Sequence, residues 1–190
     1  MKVIAFNGSP RIAGNTALAL EAVLEVLRAR GIESRQVQVG AEVVEPCQGC
    51  NVCIENADGR CIVETDRVND WFGEMREADG IIIGSPVYFG DMTAHTKAFI
   101  DRTGRLARAN DHALRGKVGA AVAVHRRAGA LNTLNQINLF FLTSQMVVVG
   151  STYWNMAVGN HRGEVEEDRE GMETLRNLGE NTAWALERLS

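Results

Sequence analysis

Apolar and polar positions along the 190-residue chain alternate between short hydrophobic runs and longer amphipathic stretches. The first run, KVIAFN (2–7), is rich in β-forming residues and stops at Gly-Ser-Pro, which predicts a buried strand closed by a turn. Between residue 16 and about residue 30, Leu18, Leu20, Ala22, Val23, Val26 and Leu27 recur at helical spacing, and Gly31 ends the helix. SRQVQV (34–39) alternates as a half-buried strand should. A cysteine-bearing loop of about 41–65 follows, and Asp66 is placed to cap a helix reaching about residue 78. GIIIGSP (80–86) is the clearest core strand. A helix is expected over about 93–106, then a strand at GKVGAAVAVH (116–125), a helix over 130–143 and a fifth strand at MVVVG (146–150). The charged tail from about 164 to 189 predicts one final amphipathic helix.

Strands that alternate with helices imply a parallel sheet covered on both faces, and right-handed crossovers leave few topologies. The expected fold class is α/β: a flavodoxin-like three-layer sandwich with a five-stranded parallel sheet in order 2-1-3-4-5. No repeat or linker interrupts the pattern, so residues 1–190 are expected to form one domain. Composition agrees: 45% hydrophobic and 23% charged residues describe an ordinary globular chain. A domain of this size buries about 70% of its unfolded surface and needs no disulfide. The formal net charge of −4 argues against a nucleic-acid partner, which calls for a basic excess. No apolar run approaches the roughly 18 residues of a membrane span. MKVIAFNGSPR reads as a strand rather than a secretion leader, so a cytoplasmic protein with reduced thiols is expected.

The chemistry gathers in the loops after the strands, where open parallel sheets bind ligands. The first loop, Gly8 to Thr16, runs into a helix whose opening N–H groups attract an anion. Ser9, Asn15 and Thr16 add short donors, and Arg11 adds a charged one. Neither a dinucleotide fingerprint nor a Gly-Lys-Ser/Thr loop is present, so a phosphomonoester fits better than a pyrophosphate. A plain strand-to-helix turn capped by Asn15 is the structural alternative. The second loop, Ser85 to Met92, carries Pro86, Val87, Tyr88, Phe89 and Gly90, suited to a flat ring or to ordinary packing. The third begins at His125 and supplies Arg126, Arg127, Ala128 and Gly129. The two arginines are either ligand-facing or a solvated surface.

The blocks GSPR-x-x-GNT, C-x-GC-x-x-C, GSPVYFGDM-x-A-x-x-KAFIDR and RRAGA-x-NTL-x-Q resemble the flavodoxin-like NAD(P)H-dependent FMN reductases, and among them the iron–sulfur flavoproteins of anaerobes. The resemblance implies FMN, usually at a dimer interface and often in a dimer of dimers, so a homodimer or homotetramer is expected. It implies that Ser9, Arg11, Asn15 and Thr16 hold the phosphate. Pro86, Val87, Tyr88, Phe89 and Gly90 would line the isoalloxazine, with Arg126, Ala128 and Gly129 on its other side. Reduced ferredoxin or NAD(P)H would be the donor. The chemistry would reside on the flavin, with no side chain required as general acid or base.

Cys47, Cys50, Cys53 and Cys61 are spaced C-x2-C-x2-C-x7-C, which suits a single [4Fe–4S] cluster. Zinc fits less well, because structural zinc sites use two separated knuckles. Thiols without a cluster are the remaining alternative. The function expected is an FMN-dependent oxidoreductase or electron-transfer flavoprotein coupled to that cluster. Its rivals are a plain FMN or quinone reductase with vestigial cysteines, and a redox-sensing binding module. Elsewhere, Asp101-Arg102 reads as a surface or interface ion pair. Trp71, Trp154 and Trp184 read as packing residues, and His95, His112 and His161 show no metal-ligand spacing.

Overall fold

Alternate residues of the central strands reach opposite faces of one sheet, as the twofold repeat of a strand requires. In the computed structural model, which describes residues 1–189, Ile4, Phe6, Ile81 and Ile83 enter one core. Val3, Ala5, Ile82, Val118, Ala120, Val122 and Val124 enter the other. Burial on both faces explains the nearly continuous apolar runs of these strands.

The elements in chain order are β1 (Lys2–Asn7), α1 (Asn15–Ala29), β2 (Glu33–Gln38), α2 (Val52–Asn56), α3 (Val68–Glu77) and β3 (Gly80–Pro86). They continue with α4 (Ala94–Ala109), β4 (Val118–His125), α5 (Ala130–Thr143), β5 (Val147–Val148), β6 (Met156–Val158), a 3-10 turn (Glu164–Glu167) and α6 (Arg169–Leu189). The sheet runs β2-β1-β3-β4-β5, all parallel, as expected from the sequence, and β6 adds a sixth strand beside β4. One core packs α1 and α6 against the sheet. The other holds α3, α4 and α5.

Several expectations are corrected. The fifth strand is only two residues long and pairs with the start of β4. The chain then leaves the sheet edge over 149–155 and returns as β6 beside the end of β4. Ser151 closes this excursion, bridging the Tyr153 carbonyl oxygen at 2.9 Å and the Asn155 side chain at 2.6 Å. The tail is not one helix. Asp168 breaks it, accepting from the Gly171 amide at 3.0 Å and from the Val158 amide of β6 at 2.7 Å.

Asp101 and Arg102 do not pair with each other, since adjacent helical residues face different directions. Lys97, one turn earlier, takes Asp101, while Arg102 is buried and pairs with Asp66. Trp71 is fully buried, its ring edge-on to Phe99 at 5.9 Å, whereas Trp154 and Trp184 are exposed. Among the described residues no helix is long and apolar enough to cross a membrane.

Candidate functional site

The carboxyl ends of β1, β3 and β4 form one rim. The Gly8 amide donates to the Gly84 carbonyl at 2.8 Å, which ties the first loop to β3. The Thr93 hydroxyl, at the cap of α4, donates to the Gly8 carbonyl at 2.7 Å and accepts from the Thr96 amide at 3.2 Å. Gly40, after β2, approaches the first loop closely. A methyl group there would lie 2.2 Å from the Gly8 carbonyl oxygen.

Within the first loop the Ser9 hydroxyl accepts from the Arg11 amide at 3.1 Å. Helix α1 starts after Gly14, which has no side chain to cap it. The opening amides of Asn15, Thr16 and Ala17 therefore lack an intrahelical acceptor and can receive an anion. The Asn15 side chain reaches across the rim instead of along the loop. It donates to the His161 carbonyl at 2.8 Å and accepts from the Gly163 amide at 2.8 Å.

One open cleft, about 660 Å³ with the solvent space at its mouth included, is lined by Ser9, Arg11, Gly14, Asn15, Thr16, Pro86, Val87, Tyr88, Val124, His125, Arg126, Gly159, Asn160 and Arg162. It presents three guanidinium groups and no carboxylate, which suits a multiply charged anion. Both ring nitrogens of His125, a lining residue, are buried without a partner among the described residues. Arg162 is pinned by its Nε–H to the Ala13 carbonyl at 3.0 Å. Glu164 holds the turn before it, accepting from the amides of Asn160 at 2.6 Å and His161 at 2.7 Å. Those backbone bonds keep the Glu164 carboxyl below its ordinary range.

The structure thus brings Ser9, Arg11, Asn15, Thr16, Pro86, Val87, Tyr88 and Arg126 around one cavity. Phe89, Gly90, Ala128 and Gly129 lie outside its lining. Tyr88 and Asp91 exchange backbone hydrogen bonds of 2.7 and 3.1 Å around Phe89 and Gly90, whose φ values are 50° and 86°. Two positive values are the pattern of a type I′ turn, and a bulky residue rarely adopts it. Phe89 does so while fully exposed. Gly129 sits against Val87 and Gly90. Sequence reading missed Gly159, Asn160 and Arg162; the only local signal is the turn-forming GNHRG after a three-residue strand.

The four cysteines line a second, smaller cleft of about 410 Å³ with its open mouth included, together with Arg102, Arg105 and Leu106 of α4. All four are free thiols. Gly49 and Asn51 take left-handed backbone on either side of Cys50, with φ values of 66° and 65°; left-handed residues in a loop are a recurrent feature of backbone anion sites. The Asn69 side chain clamps Cys61, accepting from its amide at 2.7 Å and donating to its carbonyl at 3.0 Å. Arg102 laces the two ends of the loop together. Its guanidinium donates to the carbonyls of Glu45 at 3.3 Å and Val63 at 3.0 Å and pairs with Asp66. Its Nε is buried and has no partner among the described residues. Burial pushes the Cys53 thiol up, opposed by the positive charge of Arg105. Among the described residues no three His, Cys, Asp or Glu side chains are placed to hold a single metal ion. A cubane asks for something else, one thiolate at each of four separate irons around one cleft.

Residues 1–161 match the family model described as NADPH-dependent FMN reductase. An iron-sulfur flavoprotein of Methanocaldococcus jannaschii is 42% identical over 190 residues, covering 96% of each chain. One from Methanosarcina thermophila is 35% identical, covering 98% of this chain and 96% of its own. Among solved structures, a flavodoxin from the Archaea superposes with a TM-score of 0.65 at 19% identity, covering 98% of this chain and 99% of its own. RosB with bound 8-demethyl-8-formylriboflavin-5'-phosphate gives a TM-score of 0.77 at 17% identity over 100% and 80% of the two chains. These two establish the fold alone. With the family model spanning most of its length, the chain belongs to the NADPH-dependent FMN reductase family.

Proposed function

We propose that the protein is an FMN-dependent oxidoreductase that exchanges electrons with a [4Fe–4S] cluster held by Cys47, Cys50, Cys53 and Cys61. The observation that carries the flavin half is the convergence of four chain segments on one cavity with three arginines, no carboxylate and a free helix N-terminus. FMN supplies two-electron hydride chemistry with one-electron release, and a cluster carries single electrons. The chain's own residues bind and orient. Ser9, Arg11, Thr16 and the opening amides of α1 receive the phosphate, Asn15 anchors the 160–163 turn, and Arg162 adds a second cation. Pro86, Val87 and Tyr88 form one wall for the ring and Arg126 the other, with Phe89, Gly90, Ala128 and Gly129 at its outer margin. His125 offers ring nitrogens at the same wall, and the guanidinium of Arg126 favours added negative charge there.

The cluster half is supported by four free thiols lining one cleft, by the unpartnered Arg102 Nε beside them, and by the names of the relatives. The two sites share no lining residue. From the cap of α4 at the rim to Arg105 the helix covers about 18 Å. NAD(P)H or a reduced ferredoxin is the donor class. A second copy of the chain has an apolar face available in exposed Leu131, Leu139 and Leu142 of α5. Light scattering of purified protein tests for the homodimer or homotetramer.

The primary experiment is anaerobic purification followed by FMN titration and assays of iron and acid-labile sulfide. Micromolar or tighter FMN binding with about four irons per chain is the expected result. No FMN binding at micromolar concentration removes the flavin reading. Negligible iron after anaerobic reconstitution leaves a plain FMN or quinone reductase.

A further inference from the structure

Helix α4 presents Arg102 and Arg105, three residues apart and so on one face, to the cysteine cleft. They are its only charged lining residues, and they are not equivalent. Arg102 is buried and neutralised by Asp66, yet its Nε–H has no acceptor. Among the described residues Arg105 forms no ion pair; its guanidinium is held by the Asn51 side-chain oxygen, within the loop between Cys50 and Cys53. A cleft rimmed by thiols and carrying one uncompensated cation and one orphaned buried donor is built for an anion whose acceptor atoms are sulfur.

We propose that Arg105 sets the cluster's reduction potential through its uncompensated charge, beside the buried Arg102 Nε–H that faces the same cleft. The proposal rests on the cluster reading above. A thiolate-ligated cluster is anionic and gains a further negative charge on reduction, so a fixed cation favours the reduced form. Arg105 is a positioning and charge-setting residue, not a ligand.

The test uses anaerobically reconstituted holoprotein and the variants Arg105→Gln and Arg105→Lys. Iron per chain is measured first, and then both couples are titrated together, with the flavin as internal reference. Arg105→Gln is expected to keep its iron and lower the reduced-to-oxidised ratio of the cluster about tenfold at a fixed potential. That corresponds to a midpoint about 59 mV more negative for a one-electron couple. Arg105→Lys recovers most of the shift, and the flavin couple stays in place. If Arg105→Gln instead loses iron while keeping FMN, recovery of iron in Arg105→Lys supports the charge role, and failure to recover it overturns that role. A fully loaded Arg105→Gln with an unmoved midpoint overturns the proposal alone. A wild-type protein that takes up no iron overturns the cluster reading, and this proposal with it.

Discussion

Arg102 and Asp66 form an ion pair from which water is excluded, with side chains 1% and 0% exposed. They are 36 residues apart, and between them they hold the Glu45 amide and the carbonyls of Glu45 and Val63. Removing one partner leaves the other charge buried and uncompensated, which costs about 3–5 kcal/mol. Asp66→Asn is therefore expected to lower the urea midpoint sharply and to expose the cysteine loop to limited proteolysis. The double change Asp66→Leu with Arg102→Met removes both charges and should recover much of the stability. The loop ends then lose their tie, so iron uptake stays low. Urea titration and iron assay on the three proteins check both halves.

Gly40 supports the first loop, the proposed phosphate site, by having no side chain. A Cβ there would lie 2.2 Å from the Gly8 carbonyl oxygen and 2.4 Å from the Ser9 carbonyl carbon, both backbone atoms that cannot swing aside. Gly40→Ala is expected to displace the loop and weaken FMN binding at least tenfold. Riboflavin, which lacks the phosphate, should lose much less. Fluorescence titration with the two ligands separates loop damage from general unfolding.

Phe89 occupies a left-handed position that costs about 1–3 kcal/mol for such a residue, and its ring is fully exposed. Asn accepts that backbone readily. Phe89→Asn should raise the unfolding free energy by about 1 kcal/mol, since no buried surface is lost. Phe89 directly follows Pro86, Val87 and Tyr88, the proposed wall for the ring, so the same variant is expected to bind FMN several-fold more weakly. Thermal melts of the flavin-free protein and FMN titration measure the two effects.

Glu164 gives a pH dependence with a defined sign. Its carboxylate is stabilised in the folded state by two backbone amides, so its folded pKa lies below the unfolded one. The contribution is present above the ordinary carboxylate value, about 4.3, and is lost as pH falls through the depressed folded value. The difference in Tm between wild type and Glu164→Gln should be constant near neutrality and shrink in acid. A difference that grows in acid would contradict the assignment.

Much of the framework was legible in the chain because it is periodic. GIIIGSP is buried on both sides and flanked by turn residues, and α5 coincides with the expected 130–143. The common cleft of the four cysteines was also legible, since their close spacing forces proximity. What escaped depends on partners far away in sequence. Nothing near Arg102 announces Asp66, and nothing near Arg162 announces Ala13, 149 residues earlier. The three-residue β6 is too short for any period to show, and its pairing comes from β4 rather than from its own propensity.

The two margins of the sheet share a property with consequences beyond the protomer. On one side the outer strand is split into pieces of two and three residues with the 149–155 excursion between them. On the other, β2 is largely polar, and its Arg35 is paired with Glu74. Neither margin offers a long, flat apolar template for a visiting strand. Association between copies of this chain is therefore expected to use helical or loop surfaces rather than continuous sheet growth.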